Sequence, residues 1–248
     1  MAGLTKASLP PRLFRDIRNR GAAVCVMLYE DGIVARETPK LLAVLAPEER
    51  ARHDRMATSE RRNEYLVGRL LIRTVLSVLL DVPCAQVPLL IDSRGRPHVA
   101  CRAPLAYDIS LSHSRGYAVL GVTKAGRIGV DIEATFDGDY ALVRRFLASE
   151  ELAGLLALPQ VQRSAALARA WVIKEAWSKA LGFGLGVPFR NLNTALRTEG
   201  CSGRVRWRII DGSTVPTACA IASDELTPPS MPRFAIPVNL ERLSGAAR

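Results

Sequence analysis

The chain has 248 residues, 48% of them apolar and 6% aromatic, with a formal net charge of +10. That length accommodates one large or two small domains around a substantial core. No run reaches the roughly 18–20 uncharged apolar residues of a membrane span, and no apolar region follows the basic stretch 1–20 at signal-peptide position, so a soluble, cytoplasmic protein without a membrane partner is expected. The positive charge favours an anionic partner: a phosphorylated ligand, an acidic protein or nucleic acid. Against nucleic acid stand the low aromatic content and the lack of an RNP-like run, a zinc finger or a base-reading basic helix. The arginines are scattered, as Arg50, Arg52, Arg55, Arg61, Arg62, Arg69, Arg73, Arg94, Arg96 and then Arg204, Arg206 and Arg208, so many belong to ordinary solvated surface. Cys25, Cys84, Cys101, Cys201 and Cys219 lie far apart and form no CxxC pair, which reads as buried, reduced thiols rather than a zinc site.

In chain order, residues 22–29 read as a β-branched buried strand. Pro47-Glu48-Glu49 opens a helix with proline and acids in its first turn. A second helix runs from Ser59 to about Leu80; Leu66, Leu70, Val75 and Leu79 form its apolar face, and Arg62, Arg69 and Arg73 share another. Residues 92–97 form a turn, followed by strands at 98–101, 107–112 and 117–124. After a turn at 125–127 comes a short strand, 128–133. A helical segment at 140–147 leads to Ser149-Glu150-Glu151, read as a fresh N-cap with acids behind it. A long helix, about 163–181, stops at Gly182. Strands at 205–210 and 217–222 close the pattern. Each half thus has helices followed by antiparallel strands, which predicts two similar α+β lobes: 1–126, 127–227, and a tail, 228–248, with no assigned structure.

Three constellations could carry chemistry. In Gly129-Val130-Asp131-Ile132-Glu133, residues two apart on a strand project together, so Asp131 and Glu133 repel one another unless a cation sits between them. A hard, oxygen-preferring ion such as Mg²⁺ or Mn²⁺ fits; alone, the triplet also reads as a solvated strand end. In Trp171-Val172-Ile173-Lys174-Glu175-Ala176-Trp177-Ser178-Lys179, residues Ala170, Ile173, Trp177 and Leu181 make an apolar stripe. Glu175 and Lys179, four apart, form either a surface ion pair or a carboxylate with a charge clamp. Ser110-Leu111-Ser112-His113-Ser114 ends a strand and places His113 near a surface cleft, better suited to donating to a phosphate oxygen than to a serine-hydrolase role, since no G-x-S-x-G elbow is present.

Together and in this order, these segments resemble the signature of the 4'-phosphopantetheinyl transferases, (I/V)-G-(I/V)-D-x-E followed by W-x-x-K-E-(A/S)-x-x-K. Gly95-Arg96-Pro97 and Ser112-His113-Ser114 resemble the GKP and SHS elements of the two-lobed, surfactin-synthetase-activating (Sfp-like) type. Residues 144–151 resemble its R-F-F-(S/T)-x-x-E stretch. The similarity covers about residues 45–192. The resemblance implies a pseudo-twofold, phosphopantetheinyl transferase fold, a monomer, and transfer of the phosphopantetheine arm of coenzyme A to a serine of an apo acyl or peptidyl carrier protein, with release of 3',5'-ADP. Carried over by position, it implies that Asp131, Glu133 and Glu175 hold Mg²⁺ and that Glu175 helps deprotonate the carrier serine. Lys179 would neutralise the leaving phosphate, and Lys174 would support phosphate charge. His113, with Ser112 beside it, would meet the pyrophosphate or 3'-phosphate. Arg96, with Pro97, would lie near the adenine nucleotide, where relatives have lysine, so Arg96→Lys is expected to be tolerated. Arg52 and Arg69 would be further phosphate contacts.

Three positions depart from the pattern. Ser110 stands where relatives have asparagine, and Arg115 where they have glycine. Glu49 occupies a position that is often lysine, which shifts the expected 3'-phosphate clamp to Arg52 with Arg61 or Arg62. The acceptor-binding loop is expected between 137 and 162. A nucleic-acid-binding protein and a metal-dependent phosphohydrolase using the same carboxylates remain the alternatives.

Overall fold

The computed structural model describes residues 9–93, 95–100, 107–133, 140–183, 188–210, 215–224, 229–233 and 235–240. Arg94, Cys101, residues 137–139 and the last eight residues lie outside them. The elements are α1 (Pro11–Arg20), β1 (Ala22–Leu28), α2 (Asp31–Leu41), α3 (Pro47–Asp54), α4 (Ser59–Leu80), β2 (Leu89–Ile91), β3 (Pro97–Val99), β4 (Asp108–Ser114), β5 (Tyr117–Thr123), β6 (Arg127–Ile132), α5 (Tyr140–Phe146), α6 (Ser149–Ala157), α7 (Gln160–Leu181), β7 (Glu199–Ser202), β8 (Val205–Ile209), β9 (Thr217–Ala222) and β10 (Ala235–Asn239).

Two four-stranded sheets, β10-β1-β5-β4 and β6-β9-β8-β7, build the two lobes; β2 and β3 form a separate hairpin. Within each sheet the pairing is antiparallel, except that β10 runs parallel to β1. Strand β1 reads as a continuous apolar run because both its faces are covered. Ala23, Cys25 and Met27 face the core beneath α4, with Leu66, Leu70 and Ile109. Ala22, Val24 and Val26 face the other sheet, against Ile128, Val130, Cys219 and Ile221. The lobes therefore share one apolar layer between sheets, and α7 covers the outer face of the second sheet through Val172, Ile173, Ala176 and Trp177. Gly121 permits the close approach: a Cβ there would stand 2.6 Å from Val130 Cγ1.

The two lobes repeat one device. Glu49 is the third residue of α3 and Glu151 the third of α6, and each carboxylate accepts the backbone N–H of the alanine before its helix (Ala46 at 3.0 Å, Ala148 at 2.8 Å). Each also binds a buried cation fifteen residues into the lobe's 22-residue helix, Arg73 at 2.7 Å and Lys174 at 2.8 Å. Each cation then reaches the carbonyls that bracket the next 3-10 turn: Arg73 those of Cys84 and Val87, Lys174 those of Phe189 and Leu192.

The structure adds to and corrects several expectations. Ala148, not Ser149, occupies the N-cap of α6. Helix α7 begins at Gln160, three residues before the expected start, and ends at Gly182 with φ 77°. Helices α1 and α2, and strand β10 within the supposed tail, were not anticipated. Cys25, Cys84 and Cys219 are buried, whereas Cys201 is exposed.

Candidate active site at the seam between the lobes

Strands β4 and β6 meet edge to edge across the lobes, and side chains rather than a backbone ladder join them. Alternate residues of a strand share one face, and on β4 those residues are all polar. Asp108 Oδ2 accepts from the Ile128 amide at 2.7 Å, and Ser110 Oγ from the Val130 amide at 3.1 Å. Ser112 Oγ donates to Asp131 Oδ1 at 2.7 Å, and Ser114 Oγ to Glu133 Oε2 at 3.1 Å. The opposite face carries Ile109, Leu111 and His113 toward α4, where His113 Nδ1 lies 3.5 Å from Glu64 Oε2. Ser112 and His113, expected side by side at the phosphates, thus serve opposite sides of one strand.

Asp131 is 3% exposed. Lys179 Nζ donates to its Oδ1 at 2.6 Å and also to Ser112 Oγ and the Val130 carbonyl. Its Oδ2 is buried with no hydrogen-bond partner. Glu133 is pushed above the usual carboxylate range by burial and by Asp131, while Ser114 and the Trp171 indole stabilise its charge. Burial raises Glu175 to about 7; Lys179 pulls it down, and Asp131 and Glu133 push it up. Gly129 makes this proximity possible. Any Cβ there would fall 1.9 Å from the Ala176 carbonyl of α7, so glycine lets the helix lie against β6 and brings Glu175 and Lys179 beside Asp131 and Glu133.

Three carboxylates gathered around one lysine, with Glu133 and Glu175 held toward their protonated forms, make a site short of positive charge. Among the described residues, no three acidic, histidine or cysteine side chains are already gathered as a metal-holding group. The fit to a cation is one of donor chemistry: hard oxygen ligands, and a buried Oδ2 without a partner.

Two clefts open beside the cluster and share Gly95, Pro97 and Leu111 as lining. The larger, about 520 Å³, is walled by Arg52, Arg61, Arg69, Tyr65 and His113. The guanidinium carbons of Arg52 and Arg69 stand 5.9 and 4.9 Å from the Tyr65 ring centroid, an arrangement that holds cations over an aromatic face. Arg69 Nη1 is buried without a hydrogen-bond partner. The smaller cleft, about 220 Å³, reaches Arg96 and Lys179.

Lys174, expected to support phosphate charge, and Arg96, expected near the adenine nucleotide, both have partners within the protein. Lys174 is fully buried, held by Glu151 and two carbonyls; burial pulls its pKa below that of a free lysine. Lys174 stands one residue before Glu175 and five before Lys179, offsets that put side chains on different helix faces, and it lies on the inward one. Arg96 places its guanidinium against Asp108 Oδ2 at 2.7 Å, the carbonyls of Ile109 and Ile128 at 3.0 and 2.9 Å, and the carbonyl of Lys179. It is a bracket between the lobes rather than a free charge.

Reasoning from sequence assigned no role to Trp171, which packs edge-on between Phe146 and Phe189 at 5.2 and 5.8 Å and supports Glu133. It also passed over Glu64 and Tyr65. The signal for both was present, since they precede Arg69 by about one helical turn on α4.

The matches to known families follow the lobes. Residues 34–125 match the family model "4'-phosphopantetheinyl transferase, N-terminal", and residues 127–219 match "4'-phosphopantetheinyl transferase superfamily". The chain is 35% identical over 149 residues to the 4'-phosphopantetheinyl transferase HetI of Nostoc sp., covering 58% of this chain and 62% of that protein. It is 30% identical over 179 residues to a putative 4'-phosphopantetheinyl transferase of Synechocystis sp. (69% and 73%). It is 26% identical over 174 residues to the 4'-phosphopantetheinyl transferase Sfp of Bacillus subtilis (70% and 76%). With both lobes matched in order, the chain belongs to the 4'-phosphopantetheinyl transferase superfamily, in its two-lobed, Sfp-like form.

Proposed function

We propose that this protein moves the 4'-phosphopantetheine arm of coenzyme A onto a serine hydroxyl of an apo acyl or peptidyl carrier protein, releasing 3',5'-ADP. The observation that carries the proposal is the cluster of Asp131, Glu133, Glu175 and Lys179 at the seam, beside an arginine-walled cleft. The reaction breaks a phosphoanhydride, and charge grows on the departing phosphate, so positioning and cationic stabilisation dominate its catalysis.

Each group has a place in that reaction. Arg52 and Arg69 offer guanidinium groups to the phosphates of coenzyme A, Arg69 through the N–H that lacks a protein partner. His113 lines the same cleft and donates to a phosphate oxygen. Lys179 lines the adjoining cleft and balances charge on the leaving phosphate. Glu175 accepts the proton of the carrier serine; a carboxyl raised to about 7 is matched to that task near neutral pH. Asp131, Glu133 and Glu175 would hold Mg²⁺, which when bound neutralises the pyrophosphate and stabilises developing charge. Residues 1–126 and 127–227 act as the two halves of one unit. Because the chain itself supplies both sides of the seam, it works as a monomer, and we place it in the cytoplasm. Among the described residues no helix is long and apolar enough to cross a membrane.

Intact mass spectrometry of an apo carrier protein incubated with this protein, coenzyme A and Mg²⁺ tests the reading. A mass gain of one phosphopantetheine arm, abolished by EDTA, is the expected result. Coenzyme A binding without any gain across diverse acyl and peptidyl carriers would overturn it.

A further inference from the structure

A cleft of about 810 Å³ lies away from the seam. The apolar layer between the sheets ends at β9, and β8 and β7 project beyond it. On β8, Val205 and Trp207 turn inward, so Arg206 and Arg208 turn outward. They face α1 and the segment before β10, which contribute Arg12, Arg20 and Arg233. Five arginines against one acidic lining residue, Glu199, thus converge from both lobes. Their forks are held in place: Arg206 by the Pro229 carbonyl at 2.6 Å, Arg208 by Glu199, and Arg20 by Asp16 at 3.7 Å. Strand β7 is three strands from β6 in the sheet, on the order of 14 Å at ordinary strand spacing. The matched family segments, 34–125 and 127–219, omit Arg12, Arg20, Met231 and Arg233.

We propose that this cleft is a second anion site, for a small ligand bearing two or more phosphates. Every cation lining it is an arginine, the residue whose planar fork matches phosphate oxygens in pairs. The volume falls within the roughly 300–1,000 Å³ of small-molecule sites. A protein partner would need exposed aromatic or apolar anchors, and the one aromatic lining residue, Trp207, is 3% exposed. Inorganic polyphosphate and a nucleoside polyphosphate share the recognising chemistry. The site does not depend on the reaction proposed above.

Cys201 lines this cleft and is exposed, so its alkylation by iodoacetamide, followed on its own peptide by mass spectrometry, reports occupancy locally. Inorganic tripolyphosphate, added to the full chain at physiological salt, should slow that alkylation, whereas ligand in the Arg52–Arg69 cleft should not. Arg206→Glu should weaken protection about tenfold or more. Arg233→Ala, at an exposed position, should weaken it without disturbing the fold. Stronger protection by tripolyphosphate than by ATP would assign the inorganic ligand, and the reverse order the nucleotide. Unchanged alkylation at tripolyphosphate concentrations that bind the protein would overturn the proposal, as would equal protection of wild type and Arg233→Ala.

Discussion

The two lobes contain the same buried joint, but only the second continues from it into the cluster of Asp131, Glu133, Glu175 and Lys179. In the first, Glu49 joins the start of α3 to Arg73 of α4; in the second, Glu151 joins the start of α6 to Lys174 of α7. Both pairs sit at equivalent depths in equal-length helices, and both cations hold the following 3-10 turn. The residue after Lys174 is Glu175, and Lys179 follows one turn later. The residue after Arg73 is Thr74, whose hydroxyl donates to the Leu70 carbonyl, and the counterpart of Lys179 is Val78, packed against the core. The comparison teaches that the joint belongs to the architecture, since both lobes have it, whereas the carboxylate–lysine cluster occurs beside only one copy. Lys174 lies within the motif but on the architectural side of it.

The sharpest break of this comparison separates activity from stability. Asp131→Ala should lower transfer to carrier protein about a hundredfold or more, with the smaller loss of stability, because it unpairs the partly exposed Lys179 but relieves the crowding of Glu133 and Glu175. Lys174→Ala should do the reverse. Removing one partner of a buried pair costs about 3–5 kcal/mol, so unfolding in urea should show a large loss of stability, as should Arg73→Ala in the other lobe. A Lys174→Ala variant with wild-type stability and no turnover would return Lys174 to the phosphates.

The same division decides what could be read in the sequence. The polar face of β4 was visible as Asp108, Ser110, Ser112 and Ser114 at every second position, and Asp131 with Glu133 likewise. What a linear pattern could not show was that these two faces meet. The lobe repeat was invisible because Arg73 and Lys174 differ in type, and their partners are backbone carbonyls, which leave no residue signature. Helix α1 was legible in Leu13, Phe14 and Ile17, closed by Gly21 with φ 82°, but its basic composition concealed it. Helix α2 contains Pro39, a residue that argues against helix. Strand β10 alternates buried Ile236 and Val238 with exposed Pro237 and Asn239, and buried Leu240 follows it. Its proline is tolerated because β10 is an edge strand.

Arg96 tests the seam itself. Its guanidinium joins β3 to Asp108, to two strand carbonyls and to the Lys179 carbonyl, and burial draws its pKa down despite Asp108. A lysine has no fork with which to satisfy acceptors in several directions. The expectation of tolerance drawn from the family pattern is therefore reversed: Arg96→Lys should cost about 1–3 kcal/mol of stability and lower turnover through misplacement of Lys179. Wild-type stability and turnover in Arg96→Lys would show that the bracket is dispensable.

The finest distinction concerns Glu175, which shares its helix with Lys174 but has the opposite environment. In metal-free protein its carboxyl should take up a proton as pH falls through about 7, because burial and its two acidic neighbours disfavour the charged form. The sign follows from the raised value: at pH above it Glu175 is an anion able to accept a proton, and below it that capacity is lost. A bound cation favours the anion, so Mg²⁺ should move the titration to lower pH. Carboxyl chemical shifts of ¹³C-labelled glutamate, compared with and without Mg²⁺ and assigned through Glu175→Gln, measure both values. A metal-free titration in the ordinary carboxylate range would mean that Glu175 is better solvated than its burial implies, and would remove it as the base. A titration near 7 that Mg²⁺ leaves unmoved would keep the base and remove Glu175 from the metal.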